Sequence, residues 1–162
     1  MFREMRRKKQ LLTSCECEDI LNNCTSGVLA VYGDNGYPYT VPLSYVYDNN
    51  KIYFHSATEG HKIDAVKRNP KASFCIISQD IIVPQKYTTY FKSVTVFGEI
   101  NILDNNKEKM EAINKLAAKY SPLESEASRQ EEAERGWNNF CILCLSIEHI
   151  SGKKSKELIE NI

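Results

Sequence analysis

The chain has 162 residues, enough for one domain with a real core, and its 21 basic and 21 acidic residues give a formal net charge of zero at pH 7. A balanced charge argues against a protein that binds nucleic acid or a membrane surface, because such proteins normally carry a basic excess. No apolar run approaches the roughly 20 residues of a membrane span, and the six cysteines lack the spacing of a secreted disulfide framework. We therefore expect a soluble cytoplasmic protein with a single domain over residues 1–162.

The N-terminal part predicts an arm, a short helix and a strand. Residues 1–10 (MFREMRRKKQ) are basic without the apolar segment of a signal peptide. They could touch nucleic acid or an anionic cofactor, although a solvated terminal segment is the commoner outcome. Thr13 and Glu16 have the spacing of a capping box, which predicts a helix to about Asn23. Residues 27–32 (GVLAVY) predict a buried strand, followed by a turn.

The central stretch predicts a hairpin that leads into a helix. In residues 37–47 the odd positions are apolar or aromatic and the even positions are mostly small or polar, as in a strand with two different faces. Asp48, Asn49 and Asn50 tolerate left-handed backbone and predict a tight turn, so that residues 51–56 form the return strand. A short loop then leads to a helix near His61. Asn69-Pro70 ends this helix, because proline disfavours helical backbone in the residue before it.

The exit from the return strand into this helix is a place where an anion could bind. The first N–H groups of a helix lack intrahelical partners, and the helix dipole is positive there. Ser56 and Thr58 add hydroxyl groups. Lys62 adds a positive charge in the first turn of the helix, where its interaction with the helix dipole is unfavourable. A bound phosphate would offset that penalty. An ordinary helix cap with a solvated lysine is the alternative interpretation.

Beyond Pro70 the sequence predicts two more strands. Residues 72–78 (ASFCIIS) are apolar on both faces, which is typical of a strand at the centre of a sheet. Residues 79–85 are ambiguous, because Pro84 would confine any strand there to an edge. Residues 87–103 predict a long strand. One face of it is lined by Val94, Val96, Gly98, Ile100 and Ile102.

The C-terminal part predicts a helix, a flap and a last strand. The helix opens at residues 104–106, and its apolar stripe consists of Met110, Ile113, Ala117 and Tyr120. Residues 123–135 are acidic and predict a loose helix or an exposed flap, and residues 139–150 predict the last strand. In the polar tail, residues 151–162, we expect Lys153, Lys154 and Lys156 to be solvated.

Few residues in the chain point to chemistry by themselves. Cys141 and Cys144 have a CxxC spacing, but residues three apart on a strand point to opposite faces. We therefore expect buried structural cysteines and no metal site, since no zinc-ligand spacing occurs. His55 ends the return strand beside the anion loop and could donate a proton or contact a ligand ring; a surface histidine is the alternative. For Trp137 a packing role is favoured.

Tight turns between the strands favour antiparallel pairing, and few helices are available to cover the sheet. Such a chain protects its edges most simply by curling into a barrel flanked by helices.

Four motifs make the sequence similar to a known family. They are MRRK near the start, YxVPLSYVYDNxKIYFHSAxxGxKxDxxxxNPxxSF, SVxVFGE, and IEHIxGK near the end, and together they span about residues 5–153. With these motifs the chain resembles the pyridoxamine 5′-phosphate oxidase-related family of FMN-binding split-barrel proteins. Within that family it is most similar to the branch that includes 5-nitroimidazole-resistance reductases.

The resemblance implies a mainly β fold with flanking helices, a six-stranded antiparallel split β-barrel. It also implies a homodimer with FMN at the interface and NADH or NADPH as a possible electron donor. The cofactor-binding residues that it implies are Thr40, Val41, Pro42 and Leu43 along the isoalloxazine ring, His55, Ser56 and Ala57 on the flavin side of the return strand, and His61, Lys62, Lys92 and Ser93 at the phosphate. Pro42 cannot donate a hydrogen bond, so we expect it to leave one flavin edge open for substrate.

The resemblance also indicates a reaction class. A C-terminal motif that grips the substrate phosphate in pyridoxamine phosphate oxidases is replaced here by Ile150-Ser151-Gly152-Lys153, which argues against that reaction. We expect an FMN-dependent oxidoreductase that reduces a small conjugated acceptor, such as a nitro-aromatic. A non-catalytic FMN or haem carrier or sensor and a flavin-free structural dimer are the alternatives. No catalytic residue is identified, and His55 is the best candidate.

Overall fold

The computed structural model describes residues 1–159. The strands are β1 Ser26–Tyr32, β2 Pro38–Ser44, β3 Val46–Asp48, β4 Lys51–Ser56, β5 Lys71–Val83, β6 Thr88–Ile102 and β7 Cys141–Lys154. The helices are α1 Ser14–Asn23, α2 His61–Arg68, α3 Asn106–Tyr120 and α4 Glu126–Arg135, with single 3-10 turns between several elements. No helix within residues 1–159 is long and apolar enough to cross a membrane.

The seven strands form one antiparallel sheet in the order β2-β1-β5-β6-β7-β4-β3. The two edge strands, β2 and β3, are neighbours in the chain and are separated only by Tyr45. The sheet must therefore curl until its edges meet, although the hydrogen-bond ladder does not close between them. Counted as one interrupted strand, β2 and β3 give the six strands expected. The predicted class, a mainly β antiparallel barrel with flanking helices, is confirmed.

The interruption at Tyr45 is stabilised by Tyr120, at the end of α3. The Tyr45 N–H donates to the Tyr120 hydroxyl at 2.8 Å, and this hydroxyl can donate to the carbonyl oxygen of Tyr45 or of Thr25. The Tyr45 ring is fully buried, and its own hydroxyl donates to Leu21 O at 2.8 Å. Tyr120 thus replaces a strand neighbour where the ladder is broken, so that buried main-chain groups stay paired.

The core lies inside the curled sheet. It is filled mostly by alternate side chains of the strands, as the period of two in a strand requires. Strand β7 is buried on both faces over Cys141 to Leu145, because Ile142 packs on the other side of the sheet against Ala112 and Leu116 of α3. The fully buried strand residues are Leu29, Ile52, Phe54, Phe74, Ile76, Val94, Val96, Ile100, Ile142, Leu143 and Leu145. Helix α1 closes the core with Ile20 and Leu21, and its predicted capping box is present: Thr13 N–H donates to Glu16 and Glu16 N–H to Thr13.

Helix α3 buries a face shifted by about one position from the predicted apolar stripe. Ala112 and Leu116 are its buried residues, Tyr120 is 38% exposed, and the other three residues of the predicted stripe are half-buried, with Ile113 packed against the same cluster. The buried face is extended by lysines at its two ends. Lys109 Nζ donates to two carbonyl oxygens at 2.8 Å, and Lys119 Nζ donates to Cys24 O at 2.6 Å. Long basic side chains can cover apolar surface with their stems. A stripe predicted from hydrophobicity alone leaves out these two lysines and therefore misses the ends of the buried face.

Three C-terminal predictions also have outcomes. The ambiguous residues 79–83 belong to β5 and pair with β6 beyond a register shift, and Pro84 lies in the turn that follows. The acidic segment forms α4. The prediction of a solvated Lys154 was wrong, because β7 continues along β6 and places Lys154 Nζ 3.0 Å from Glu16, with 18% of the lysine side chain exposed. Residues 160–162 of the predicted tail lie outside the described residues.

Candidate functional site

The mouth of α2 follows the end of β4 after the loop of residues 57–60. Gly60 has φ +116° and precedes the first helical residue, and no side chain caps the helix. A Cβ at Gly60 would meet nothing within 4 Å, so the backbone conformation, and not space, calls for glycine there. The first N–H groups of α2 are therefore left without a side-chain acceptor, at the positive end of the helix dipole.

Two basic side chains, Lys62 and His55, lie beside this mouth, and the charge of a third, Lys109 on α3, acts on His55. Lys62 of α2 is half-buried, and burial lowers the pKa of its ammonium group. His55 on β4 is exposed, but partial desolvation lowers its pKa, and the charges of Lys62 and Lys109 lower it further. Among the residues that the structure describes, neither Lys62 nor Lys109 forms an ion pair with a carboxylate. The site therefore holds uncompensated positive charge.

The loop that leads to the mouth is attached to β7. Ser56 is buried and pairs with Cys141 in the β4–β7 ladder. The Cys141 thiol donates to Ala57 O at 3.2 Å, and burial raises the pKa of that thiol, so it stays a neutral donor. Ser56 and Ala57 therefore occupy fixed positions beside His55, and Cys141 has a structural role. The described residues contain no cluster of His, Cys, Asp or Glu that could hold a metal ion.

His61 leaves the helix in a different direction from Lys62. Its Nε2 lies 3.3 Å from Asp34 Oδ2, and its ring stacks on Tyr39 with centroids 4.1 Å apart. Arg68 Nη1 lies 2.6 Å from the other oxygen of Asp34, and this hydrogen bond lowers the pKa of the Asp34 carboxyl. The structure thus brings Lys62 together with His55, Ser56 and Ala57, whereas His61 belongs to a neighbouring polar group.

Strand β2 presents a free edge and an exposed face. Val41 and Leu43 pack against the core, while Thr40 and Pro42 point outward. The Gly33 N–H donates to Tyr37 O at 3.0 Å, which sets the alternation of hydrogen-bonded pairs with β1. By that alternation the main-chain groups of Pro38, Thr40 and Pro42 face the free edge. Two of these three residues have no N–H, which limits strand pairing there.

Lys92 and Ser93 lie in another part of the sheet from Lys62. They pair with Lys154 and Lys153 on β7, whereas β4 pairs with the opposite half of that strand, from Cys141 to Ser146. Strand β7 separates β6 from β4 in the sheet. Within one chain the structure does not bring Lys92 and Ser93 to Lys62, and their role as phosphate ligands stays a prediction.

Sequence reasoning missed two residues beside the site, Lys109 and Phe140. The Phe140 ring packs against the His55 ring, with centroids 4.9 Å apart, and Lys109 Nζ donates to Phe140 O. Both His55 and Phe140 border a cavity of about 450 Å³ beneath α3 and α4, which Arg129 and Glu132 also line. The only signal in the sequence was that Lys109 lies one helical turn before Ala112 and so on the same face of the helix. That signal is not used in predicting an apolar stripe, because lysine is counted as polar.

Comparison with known proteins identifies the family. The family model described as pyridoxamine 5′-phosphate oxidase matches residues 13–154. The curated proteins include no match to the chain.

Similar solved structures agree with the fold. A Bacteroides thetaiotaomicron protein, assigned provisionally as a 5-nitroimidazole antibiotic resistance protein, has 21% identity and a TM-score of 0.74 over 89% of this chain and 86% of its own. A conserved hypothetical protein of Mycobacterium tuberculosis has 15% identity and a TM-score of 0.81 over 96% and 92%. An FAD and haem binding protein of Mycobacterium smegmatis has 18% identity and a TM-score of 0.64 over 95% and 77%. Because the family model covers most of the chain, the protein belongs to the pyridoxamine 5′-phosphate oxidase family.

Proposed function

We propose that the protein is an FMN-dependent oxidoreductase that reduces a small conjugated acceptor, such as a nitro-aromatic. One observation carries the proposal: the mouth of α2 combines uncapped N–H groups with the half-buried ammonium of Lys62, and no carboxylate among the described residues neutralises it. Family membership favours flavin as the ligand of this site. FMN, when bound, supplies hydride or electron transfer at its ring, and the protein orients it.

The phosphate of FMN fits the charge of the mouth. A phosphate accepts hydrogen bonds from helix N–H groups, and an ammonium beside it forms a charge-assisted bond. The dianion would also offset the repulsion between Lys62 and the helix dipole. His61 could bind the phosphate only if its contact with Asp34 were broken. Lys62 is therefore the residue that we assign to the phosphate.

The ring of FMN would lie along the outward side of β2. Thr40 offers a main-chain N–H at the free edge, and Pro42 offers none. We therefore place the open, substrate-accessible edge of the ring beside Pro42. His55, with Phe140 on one side of it, borders the cavity beneath α3 and α4. This cavity is where a small acceptor would meet the ring, with His55 as candidate proton donor.

A homodimer would complete the site. Within one chain Lys92 and Ser93 lie away from Lys62, so a second copy would have to supply them. Large apolar side chains are exposed on the outward face and at the β5–β6 hairpin, among them Val28, Tyr32, Ile77, Ile81, Ile82 and Tyr87. An exposed apolar set of this kind marks an interaction surface, which supports association of two chains.

Anaerobic spectroscopy tests the enzymatic proposal. We expect the FMN-loaded protein to lose its flavin absorbance when NADH or NADPH is added without oxygen. A 5-nitroimidazole should then restore the absorbance and be reduced in proportion to the nicotinamide oxidised. Free FMN at the same concentration is the control. No restoration with any member of a broad acceptor panel would refute the reductase and leave an FMN carrier.

A haem or flavin carrier is the second candidate, and the similarity to an FAD and haem binding protein favours it. Haem titration separates the two. A Soret band that saturates with haem, from a protein whose bound flavin no nicotinamide reduces, would establish the carrier in place of the enzyme.

A further inference from the structure

The turn between α4 and β7 is held by one side chain of α3. Lys109 Nζ donates to Trp137 O and to Phe140 O, each at 2.8 Å. The same ammonium lies 4.3 Å from the centroid of the Trp137 ring and 4.2 Å from that of Phe140. Two carbonyl oxygens and two ring faces thus surround one cation. We call this arrangement, Lys109 with Trp137 and Phe140, the lysine clamp.

The lysine clamp is specific in its geometry. Removing an ammonium from water is unfavourable, and burial does lower the pKa of Lys109. The loss of hydration is offset by two carbonyl acceptors and by the attraction of a cation to aromatic faces. Trp137 and Phe140 meet edge to face at 86°, and the ammonium lies within 4.3 Å of both ring centroids. Without the cation, nothing else described from α3 donates to this turn.

The clamp reaches His55 through Phe140. The two rings pack at 4.9 Å and 38°, and both border the cavity beneath α3 and α4. Phe140 therefore packs against one side of the imidazole, while His55 remains exposed to solvent. The ionisable groups around His55 are Lys62 on α2, Lys109 on α3, Cys141 on β7, Glu124 between α3 and α4, and Arg129 and Glu132 on α4.

We propose that Lys109 is a positioning residue, which holds Phe140 against His55 and thereby fixes the part of the cavity wall that these two rings form. Its consequence for catalysis rests on the proposed function. The positioning itself does not, because it can be measured in flavin-free protein.

The experiment uses two spectroscopic reporters that the chain already contains. Trp137 is the only tryptophan, so its emission and its quenching by acrylamide report on the turn alone. NMR titration of the His55 ring protons reports on the imidazole. Three variants are compared in flavin-free, full-length protein: Lys109→Met, Lys109→Arg, and Lys107→Met as the control on the exposed side of α3.

In Lys109→Met we expect a red-shifted Trp137 emission and a rise of about twofold or more in the acrylamide quenching constant, because the turn opens locally. The pKa of His55 should rise toward its ordinary value, since both a nearby charge and part of its cover are lost. Lys109→Arg should restore both readings, because a guanidinium can donate to two carbonyls and stack on rings. Lys107→Met should match the wild type.

Phe140→Leu tests the route of the effect, and it also decides the matter if Lys109→Met does not fold. It should raise the pKa of His55 while Trp137 stays protected by the intact Lys109. Wild-type quenching and titration in folded Lys109→Met would overturn the proposal. So would an unchanged His55 pKa in Phe140→Leu, or a Lys109→Arg variant as disturbed as Lys109→Met. If these readings come out as expected but FMN-loaded protein reduces no acceptor, only the enzymatic proposal falls.

Discussion

Lys62 is the residue on which the cofactor assignment depends most. Replacing it with methionine keeps an unbranched side chain of similar length and removes the charge. We expect Lys62→Met to weaken FMN binding by roughly 10- to 100-fold, the range for a lost hydrogen bond between charged groups. Fluorescence titration of flavin-free protein measures it. Lys67→Met, in the exposed last turn of α2, is the matched control and should bind as the wild type does. Equal affinity of both variants would remove Lys62 from the site.

His55 links the site to stability through its protonation. Its pKa lies below the ordinary 6.5, because burial and the charges of Lys62 and Lys109 disfavour the imidazolium. The unfolded chain then takes up a proton at higher pH than the folded chain. The free energy of unfolding must therefore decrease as the pH falls from about 6.5 through the lowered folded pKa, and this contribution is constant below it.

The His55→Gln variant isolates this contribution. Urea unfolding at pH 7.5 and at about pH 5 should show a smaller loss of stability for His55→Gln than for the wild type. His149→Gln, far along β7, serves as the control and should lose as much as the wild type. An equal loss in all three proteins would contradict the assignment of this titration to His55.

At the scale of elements, the end of α3 completes the broken edge strand. Tyr120→Phe removes one oxygen, which both accepts from the Tyr45 N–H and donates to a carbonyl. We expect a loss of about 1–3 kcal/mol in the free energy of unfolding, the cost of leaving buried main-chain groups unpaired. Urea denaturation measures this loss. Tyr87→Phe removes the hydroxyl of a tyrosine that is 98% exposed and should change stability little. A Tyr120→Phe variant as stable as Tyr87→Phe would mean that water replaces the hydroxyl.

The elements that sequence predicts well are those fixed by local signals. The capping box of Thr13 and Glu16, the Asn49-Asn50 turn and the stop at Asn69-Pro70 each depend on neighbouring residues, and all three stand where expected. The interruption at Tyr45 and the lysine-ended face of α3 could not be predicted in this way. Each depends on a partner about 75 or 30 positions away, which propensity and periodicity do not register.

The candidate site shows the same division. Lys62, Ser56 and His55 flank one strand-to-helix exit, so a local pattern sufficed to group them. Placing Lys92 and Ser93 required the register of β6 on β7, and the contact of His61 with Asp34 required the packing of α2 on the β1–β2 turn. Contacts between residues distant in sequence determine the positions of both groups, and the spacing of residues along the chain does not indicate such contacts.

At the scale of the whole molecule, the free apolar surface predicts self-association. Ile82 is 73% exposed near the tip of the β5–β6 hairpin, and Ile77 is 63% exposed on β5. A stable dimer needs about 800 Å² of buried surface per partner. We expect sedimentation to show a wild-type dimer and Ile82→Asp to shift it toward monomer, with weaker FMN binding because the partner no longer supplies Lys92 and Ser93.

The control for the dimer is Leu123→Asp, which places the same charge at another exposed apolar residue, 98% exposed, between α3 and α4. It should leave the mass unchanged. A monomeric wild type that still binds FMN tightly would show that one chain suffices and that the hairpin has another role.

The grip on the phosphate is tested most directly by comparing FMN with riboflavin, which has the same ring and no phosphate. Both are titrated calorimetrically into flavin-free wild-type protein, with FAD as a third ligand. We predict that one FMN molecule binds per chain and that FMN binds about 100-fold or more tighter than riboflavin. The reason is that FMN, unlike riboflavin, carries a phosphate that Lys62 and the N–H groups at the mouth of α2 can bind. Equal affinities for FMN and riboflavin, or binding of neither, would contradict the account.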